Sequence, residues 1–535
     1  MKFPLSWLKE HLDTDASLET ITDALTSVGL ELEGITDPSA ALKGFRTARI
    51  IEAKKHPNAD KLRVCRVDTG AGEIQVVCGA PNARDGLLTV LALPGMTVPN
   101  SGAVLKKGEI RGEASEGMLC SSRELNLSDE HDGIMELADD TALGVELGDL
   151  LGLADPVIEI AVTPNRADAL GVRGIARDLA AKGLGTLKPL PVPAIAAQPL
   201  PGPMISIDLP ENNRACPVFF ARVIKGVKNG ESPAWLKQKL QAVGLRPISA
   251  LVDITNLLTL DLNRPAHVFD LGKLIGDLTI RPAADGESLA ALNGKTYTLE
   301  PGMTVIADSS GVVSLGGIVG GEGTGCGFDT QDVLLEIAYF DPLSTARTGR
   351  KLGVLSDARY RFERGIDSGF CEDGLAFATQ LILDLCGGTP GPVIQAGNVP
   401  DTRRTLTLRL SRCGSLGGVD VGNDEQARIL TALGFGVTPT GDTLSVIPPS
   451  WRDDIEGEAD LVEEVLRIHG LDSIVPVSMA VEGLPPLAIS PAQKTPDPAK
   501  NACWPGAGCS RPLPGPSLPK PMHSRSAAGR TNWLW

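Results

Sequence analysis

Aromatic side chains are scarce in this chain: Phe, Tyr and Trp together make up 4% of its 535 residues. Hydrophobic content nevertheless reaches 42%, ample for packed cores. Positive charge is not in excess either. The net charge of −16 argues against a protein coated in nucleic acid and permits only a local basic face. The ten cysteines, at positions 65, 78, 120, 216, 326, 371, 386, 413, 503 and 509, form no CxxC pair and no zinc spacing. They read as buried thiols in a reducing compartment. No run of 18 apolar residues occurs, and the opening MKFPLSWLKEHL is no signal peptide, so a soluble intracellular protein is expected. Neither a nucleotide-binding core nor a Cys–His or Ser–His–Asp triad is evident. The length allows roughly three to five domains.

The chain divides into segments. Residues 1–38 open with an amphipathic helix carrying Leu5, Leu8 and Leu12, followed by Leu18, Ile21, Leu25 and Val28. That helical segment carries no function alone. Residues 39–150 contain short β runs (ARIIEA, LRVCRVDTG, IQVVCGA, LLTVLALPG) separated by Gly, Pro and Asn turns, the pattern of a small closed barrel of the oligonucleotide-binding kind. Between Lys43 and Arg123 there are 13 Lys/Arg against 8 Asp/Glu, reversing the sign of the whole chain. Lys54, Lys55, Lys61, Arg63 and Arg66 cluster around the HPNADKL loop, and Lys106, Lys107 and Arg111 form a second group. Such groups are the usual footprint of phosphate contacts, with a solvated barrel rim as the plainer alternative.

Residues 151–203 hold a turn, Thr163-Pro-Asn-Arg-Ala-Asp168, an amphipathic helix and a Pro-rich linker. Residues 204–395 mix strands and helices in the largest module. Its polar features are Gly244-Leu-Arg246-Pro, Arg264-Pro-Ala-His267-Val-Phe-Asp270, the Gly-rich turn 316–322, and Glu336 inside the apolar strand LLEIAYF. Taken alone, Glu336 reads as edge-exposed or salt-bridged, and His267 as a satisfied structural histidine. Residues 401–476 form a small α+β unit, resembling a winged helix, that ends in an acidic helix. There Asp460, Glu463 and Glu464, spaced i, i+3 and i+4, share one face, with Asp454 just upstream. Carboxylates that close need a cation or a basic partner, and hard oxygen ligands suit Mg²⁺. The simpler reading is an acidic first turn complementing the helix dipole. Residues 477–535 read as a disordered tail. From Pro491 onward it holds nine prolines and no Val, Ile, Phe or Glu.

Several of these motifs together resemble the β subunit of bacterial phenylalanine–tRNA ligase. They are PLSWLKEHL at the start, HPNADKL, VCGAPN, SEGMLCSS, TPNRAD, and WRDDI followed by DLVEEV. The resemblance covers residues 1–480 and implies a multidomain α+β protein with a tRNA-binding barrel, an editing domain and a small domain meeting the α subunit. It implies that Asp454, Asp460, Glu463 and Glu464 ligate Mg²⁺ at that contact. It implies hydrolysis of tyrosine wrongly joined to the phenylalanine tRNA. Glu336 would accept from the tyrosine hydroxyl, and Arg246 and His267 would hold the tRNA 3′ end or the ester. Gly320, Ser356 and Ala358 would shape the pocket. Ser356 stands where the family commonly has Thr, so a hydroxyl is kept and a methyl is missing.

The complex would attach phenylalanine to tRNA with ATP in the cytoplasm, as a heterotetramer of two α and two β subunits, with the adenylation site on α. The family continues past residue 490 with a catalytic-like inactive module and an anticodon-binding domain, so a truncated or frameshifted end is expected here. Two other readings are a free-standing editing hydrolase of mischarged tRNA and a non-enzymatic tRNA-binding protein.

Overall fold

The computed structural model describes residues 1–471 and Ile474, apart from Pro38 and residues 129–131, 154 and 211–213. The expected disordered tail lies outside the described residues.

The first 36 residues do not form an isolated helical pair. Strands Lys2–Pro4 and Leu32–Thr36 flank Val157–Ile160 in one antiparallel sheet, and Leu12–Asp13 pairs with Thr186–Leu187. Two short helices lie between. Leu18–Ser27 begins at Ser17, whose hydroxyl accepts the Thr20 N–H, as an N-cap should. A helix of 7 or 10 residues is marginal alone. These hold because Trp7, Leu8, Ile21 and Leu25 are buried in one core with Ile175 and Leu179 of the Val172–Lys182 helix, and with Leu461, Val465 and Ile468 far along the chain.

Residues 46–119 build a five-stranded antiparallel sheet in the order Met118–Leu119, Leu88–Ala92, Arg46–Lys55, Arg63–Asp68, Glu73–Cys78. Alternation in Arg63–Asp68 sends Cys65 and Val67 inward and Arg66 outward. The sheet curls until its edges meet, the Glu116 N–H donating to Gln75 O at 2.8 Å.

The largest module is built around two sheets. One runs Ile205–Ile207, Leu278–Pro282, Thr304–Asp308, Gly311–Leu315, Val319–Gly320, and the other His267–Asp270, Asp332–Tyr339, Val218–Lys225, Thr389–Gly397. Strand Val218–Lys225 is apolar on both faces. Val218, Phe220 and Ile224 pack on helices Ala250–Leu262 and Cys371–Cys386, while Phe219, Ala221 and Val223 pack against Leu278, Ile280 and Ile306 of the other sheet. A strand covered on both sides reads as a continuous hydrophobic run, which VFFARVI nearly is, with Arg222 as its one polar member.

Residues 406–469 contain a three-stranded sheet, Leu406–Arg409, Thr443–Ile447, Gly436–Thr440, and three helices ending in Glu458–His469. Among the described residues no helix is long and apolar enough to cross a membrane, and the eight described cysteines are all free thiols.

Candidate functional site

Antiparallel pairing sets the first site. His267–Asp270 forms the edge of its sheet against Asp332–Tyr339, in a register that puts His267 directly opposite Glu336. On its other side Glu336 is paired with Ala221, so it lies inside the sheet and not at an edge, and is 5% exposed. The two residues line a cavity of about 70 Å³, closed by the Gly317–Gly320 turn, Phe340, Ala358 and Phe362. One water needs roughly 10–15 Å³.

The turn approaches closely because it is glycine. A Cβ on Gly320 would stand 2.4 Å from His267 Cε1, and one on Gly317 would stand 2.9 Å from the Phe340 ring. Ser356 sits behind the wall: its hydroxyl donates to Ile318 O at 2.6 Å and accepts the Arg359 N–H at 3.0 Å, pinning the turn to the Asp357–Phe362 helix.

Burial alone sets the electrostatics here. It pushes the Glu336 carboxyl up to about 8 and the His267 imidazole down to about 4. Near neutral pH Glu336 is therefore a carboxylic acid able to donate and accept, beside an uncharged imidazole. Glu336 Oε2 and His267 Nε2 are buried with no hydrogen-bond partner among the described residues. Each orphan of this kind costs about 1–3 kcal/mol, which a ligand hydroxyl or a water would relieve.

Of the six residues assigned to editing, His267, Gly320, Glu336 and Ala358 meet in this cavity and Ser356 supports it. Arg246 does not line it; it is exposed on the loop after the Ala234–Ala242 helix. Sequence reasoning missed Phe340 and Phe362, which close the apolar side. The available signal was the Gly316-Gly317 pair, whose missing side chains make room for the Phe340 ring.

A second site lies on the curled sheet. Pairing puts Lys55 opposite Arg63 at the hairpin end. His56 is buried, with Nε2 2.9 Å from Ile110 O, and Asn58 Nδ2 donates to Arg111 O at 3.1 Å. The HPNADKL loop is thereby tied to the Gly108–Ile110/Glu113–Ser115 hairpin, which joins the two basic groups that lie apart in sequence. Lys54 pairs with Glu52 at 3.0 Å, Lys55 with Asp60 at 2.9 Å and Lys107 with Glu116 at 2.5 Å, all at the surface. Exposed pairs of this sort contribute about 0–1 kcal/mol and exchange readily for phosphate. Lys61 and Lys106 are exposed without an ion pair among the described residues, and Arg63 reaches only Ala53 O, at 3.4 Å.

Three family matches cover these modules: a "Putative tRNA binding domain" at residues 45–146, a "B3/4 domain" at 215–387 and a "tRNA synthetase B5 domain" at 406–471. The chain is 56% identical over 500 residues to the phenylalanine–tRNA ligase β subunit of Paramagnetospirillum magneticum, covering 92% of this chain and 62% of that one. It is 50% identical over 537 residues to that of Novosphingobium aromaticivorans, covering 100% and 66%. The chain belongs to the phenylalanine–tRNA ligase β-subunit family. It spans under two thirds of the length of these curated relatives. An N-terminal fragment of the phenylalanyl-tRNA synthetase β subunit from Pyrococcus horikoshii overlays with a TM-score of 0.38 at 13% identity, over 88% of this chain and 99% of that one, too loosely to carry weight.

The acids that the family resemblance assigns to Mg²⁺ are not gathered into an oxygen cage. Glu464 is 1% exposed and lies between Arg467, whose Nε and Nη2 donate at 2.7 Å, and Arg452 Nη1. Asp454 takes both other prongs of Arg452 at 2.8 Å. Asp460 caps its own helix, accepting the N–H groups of Glu456 and Gly457 at 2.8 Å, and Glu463 faces solvent.

The network runs on: Arg467 also binds Asp178 at 3.0 and 3.1 Å, and Arg166 bridges Asp178 at 2.7 Å to Asp168 at 2.9 and 3.0 Å. Burial alone would raise the Glu464 carboxyl, but the two guanidinium groups hold it down to about 2. Among the described residues no cluster of three or more His, Cys, Asp or Glu side chains could hold a metal. The basic partner that the crowded acids required is thus a pair of arginines, and the residues as folded do not fit Mg²⁺. The reason is rotational: Glu464 sits on the same side as Leu461, Val465 and Ile468, which are buried, while Glu463, about 100° round the helix, is exposed.

Proposed function

We propose that this chain acts as the tRNA-binding and editing subunit of phenylalanine–tRNA ligase. The observation that carries this reading is the uncharged Glu336 beside His267 in a small, mostly apolar cavity. An apolar pocket built for phenylalanine rejects an isostere that merely adds a hydroxyl by only about 100-fold. A second pocket with an unsatisfied buried polar group works the other way. Tyrosine would satisfy Glu336, whereas phenylalanine would leave it orphaned. The ester would be hydrolysed by a positioned water. Arg246, outside the cavity, would meet the tRNA 3′ end, and the basic face around Lys54, Lys55, Lys61, Arg63, Lys106 and Lys107 would follow the tRNA backbone.

Adenylation and transfer, which consume ATP with Mg²⁺, would belong to an α subunit, in a cytoplasmic assembly of two α and two β subunits. The decisive experiment is to co-express the chain with an α subunit, then follow release of tyrosine and of phenylalanine from phenylalanine tRNA charged with each. Tyrosine should be released preferentially, and Glu336→Ala should lower that release at least tenfold while charging with phenylalanine persists. Equal release of both amino acids would remove the editing role. A free-standing hydrolase is the second reading, because every wall of the cavity comes from residues 265–362 of this one chain. Tyrosine release by the chain alone, with no complex formed, would favour it.

A further inference from the structure

The motifs TPNRAD and WRDD meet, through Asp168 and Trp451, beside a second cavity of about 260 Å³. Arg173 and Arg177 of the Val172–Lys182 helix both line it, one turn apart. Like charges at i and i+4 repel, and acidic compensation here is incomplete. Asp168 is held bidentately by Arg166 and comes no nearer than 3.9 Å to Arg177. Arg177 stacks 4.0 Å over the Trp451 ring and donates no hydrogen bond among the described residues. Arg173 reaches only Lys188 O at 3.1 Å and His11 Nδ1 at 3.4 Å. Burial lowers the pKa of both guanidinium groups.

The remaining lining supplies complementary chemistry. Asp367 lines the same cavity with a carboxylate whose only described hydrogen bond is from the Gly369 N–H. Asn263, held in the left-handed region at φ 54°, donates to Ala167 O while its own Oδ1 acceptor is buried and unpartnered. Leu187, Leu190 and Leu262 make the walls apolar.

The geometry points to a binding site for a free α-amino acid with an apolar side chain, its carboxylate on Arg173 and Arg177, its ammonium towards Asp367 and Asn263, and its side chain among the leucines. This site is separate from the Glu336 cavity. The two are nevertheless joined by one segment: Leu262 and Asn263 line the second cavity, Pro265–His267 line the first, and Arg264 between them is fully buried and hydrogen-bonded to the Asp367 carbonyl.

Calorimetric titration of the full chain with L-leucine and L-phenylalanine tests this directly. Saturable binding is expected, weakened about tenfold or more for the amide, which lacks the carboxylate, and for the N-acetyl derivative, which lacks the ammonium. These ligand changes leave the protein fold untouched. Arg177→Gln, checked for folding by circular dichroism, should abolish the preference for acid over amide, whereas Glu336→Gln should leave binding within twofold. Absence of saturable binding to about 10 mM, equal binding of the amide, or loss of binding in Glu336→Gln would each overturn the proposal.

Discussion

At the scale of single residues, Glu336 shows what sequence can and cannot say. An acid inside LLEIAYF stands out, but sequence alone favoured an exposed edge or a salt bridge. The structure pairs that strand on both sides and buries the acid. What stayed hidden was that His267, 69 positions earlier, falls in register with it, because strand register is a long-range property. Titration gives these two residues opposite signatures. The folded protein keeps the Glu336 proton up to about pH 8, whereas the unfolded chain releases it near 4.5. The unfolded state therefore binds fewer protons between those values, and stability falls as pH rises through that window. His267, lowered to about 4 from 6.5, removes stability as pH falls from 6.5 towards 4. Thermal melts of Glu336→Gln should match wild type near pH 4.5 and exceed it increasingly up to pH 8. A constant difference across that range would contradict the burial argument.

At the scale of elements, the acidic helix illustrates the limit of spacing rules. Positions 460, 463 and 464 lie on one side of a helical wheel, yet Glu464 turns to the core and Glu463 to solvent. The direct partners of Glu464, Arg452 and Arg467, lie close in sequence, but Arg467 is held in turn by Asp178, 289 residues before it, which has no local signature. Removing one member of a buried ionic network costs about 3–5 kcal/mol, since the others lose their counter-charge. Glu464→Gln should lower the unfolding free energy from denaturant melts by a comparable amount, equally with Mg²⁺ or with EDTA. The wild type should also lose this stabilisation below pH 4.5, as Glu464 protonates towards its value of about 2. Mg²⁺-dependent stabilisation that vanishes in the variant would restore the acids to metal binding.

At the scale of the whole molecule, charge is segregated. A chain of net −16 nevertheless carries a basic excess on one curled sheet and the hairpin tied to it. Composition exposed the excess, and the motifs suggested the partner. The tie between the two basic groups was not legible, since it runs through His56 and Asn58 to backbone carbonyls. Charge reversal at Lys61 and Lys106 together should weaken tRNA binding. It should also reduce the slope of log affinity against log salt by about 1–2, at roughly 0.7–0.9 for each phosphate no longer neutralised. An unchanged slope in filter binding would move the nucleic-acid face elsewhere.

The core shared by the first 30 residues and the last described helix bears on the order of events during synthesis. Arg467 donates to Val28 O across 439 residues, and Trp7, Leu8 and Leu25 are buried in the same core as Leu461 and Val465. At about 5–20 residues per second on the ribosome, roughly 20–90 s separate the emergence of these halves. The curled sheet, whose core closes within residues 48–134, does not have to wait. The amino-terminal segment can pair with Val157–Ile160 and pack on Ile175 and Leu179 early, but the surface it shares with Leu461 and Val465 stays uncovered until the last described helix emerges, which makes that surface the natural place for a chaperone to hold.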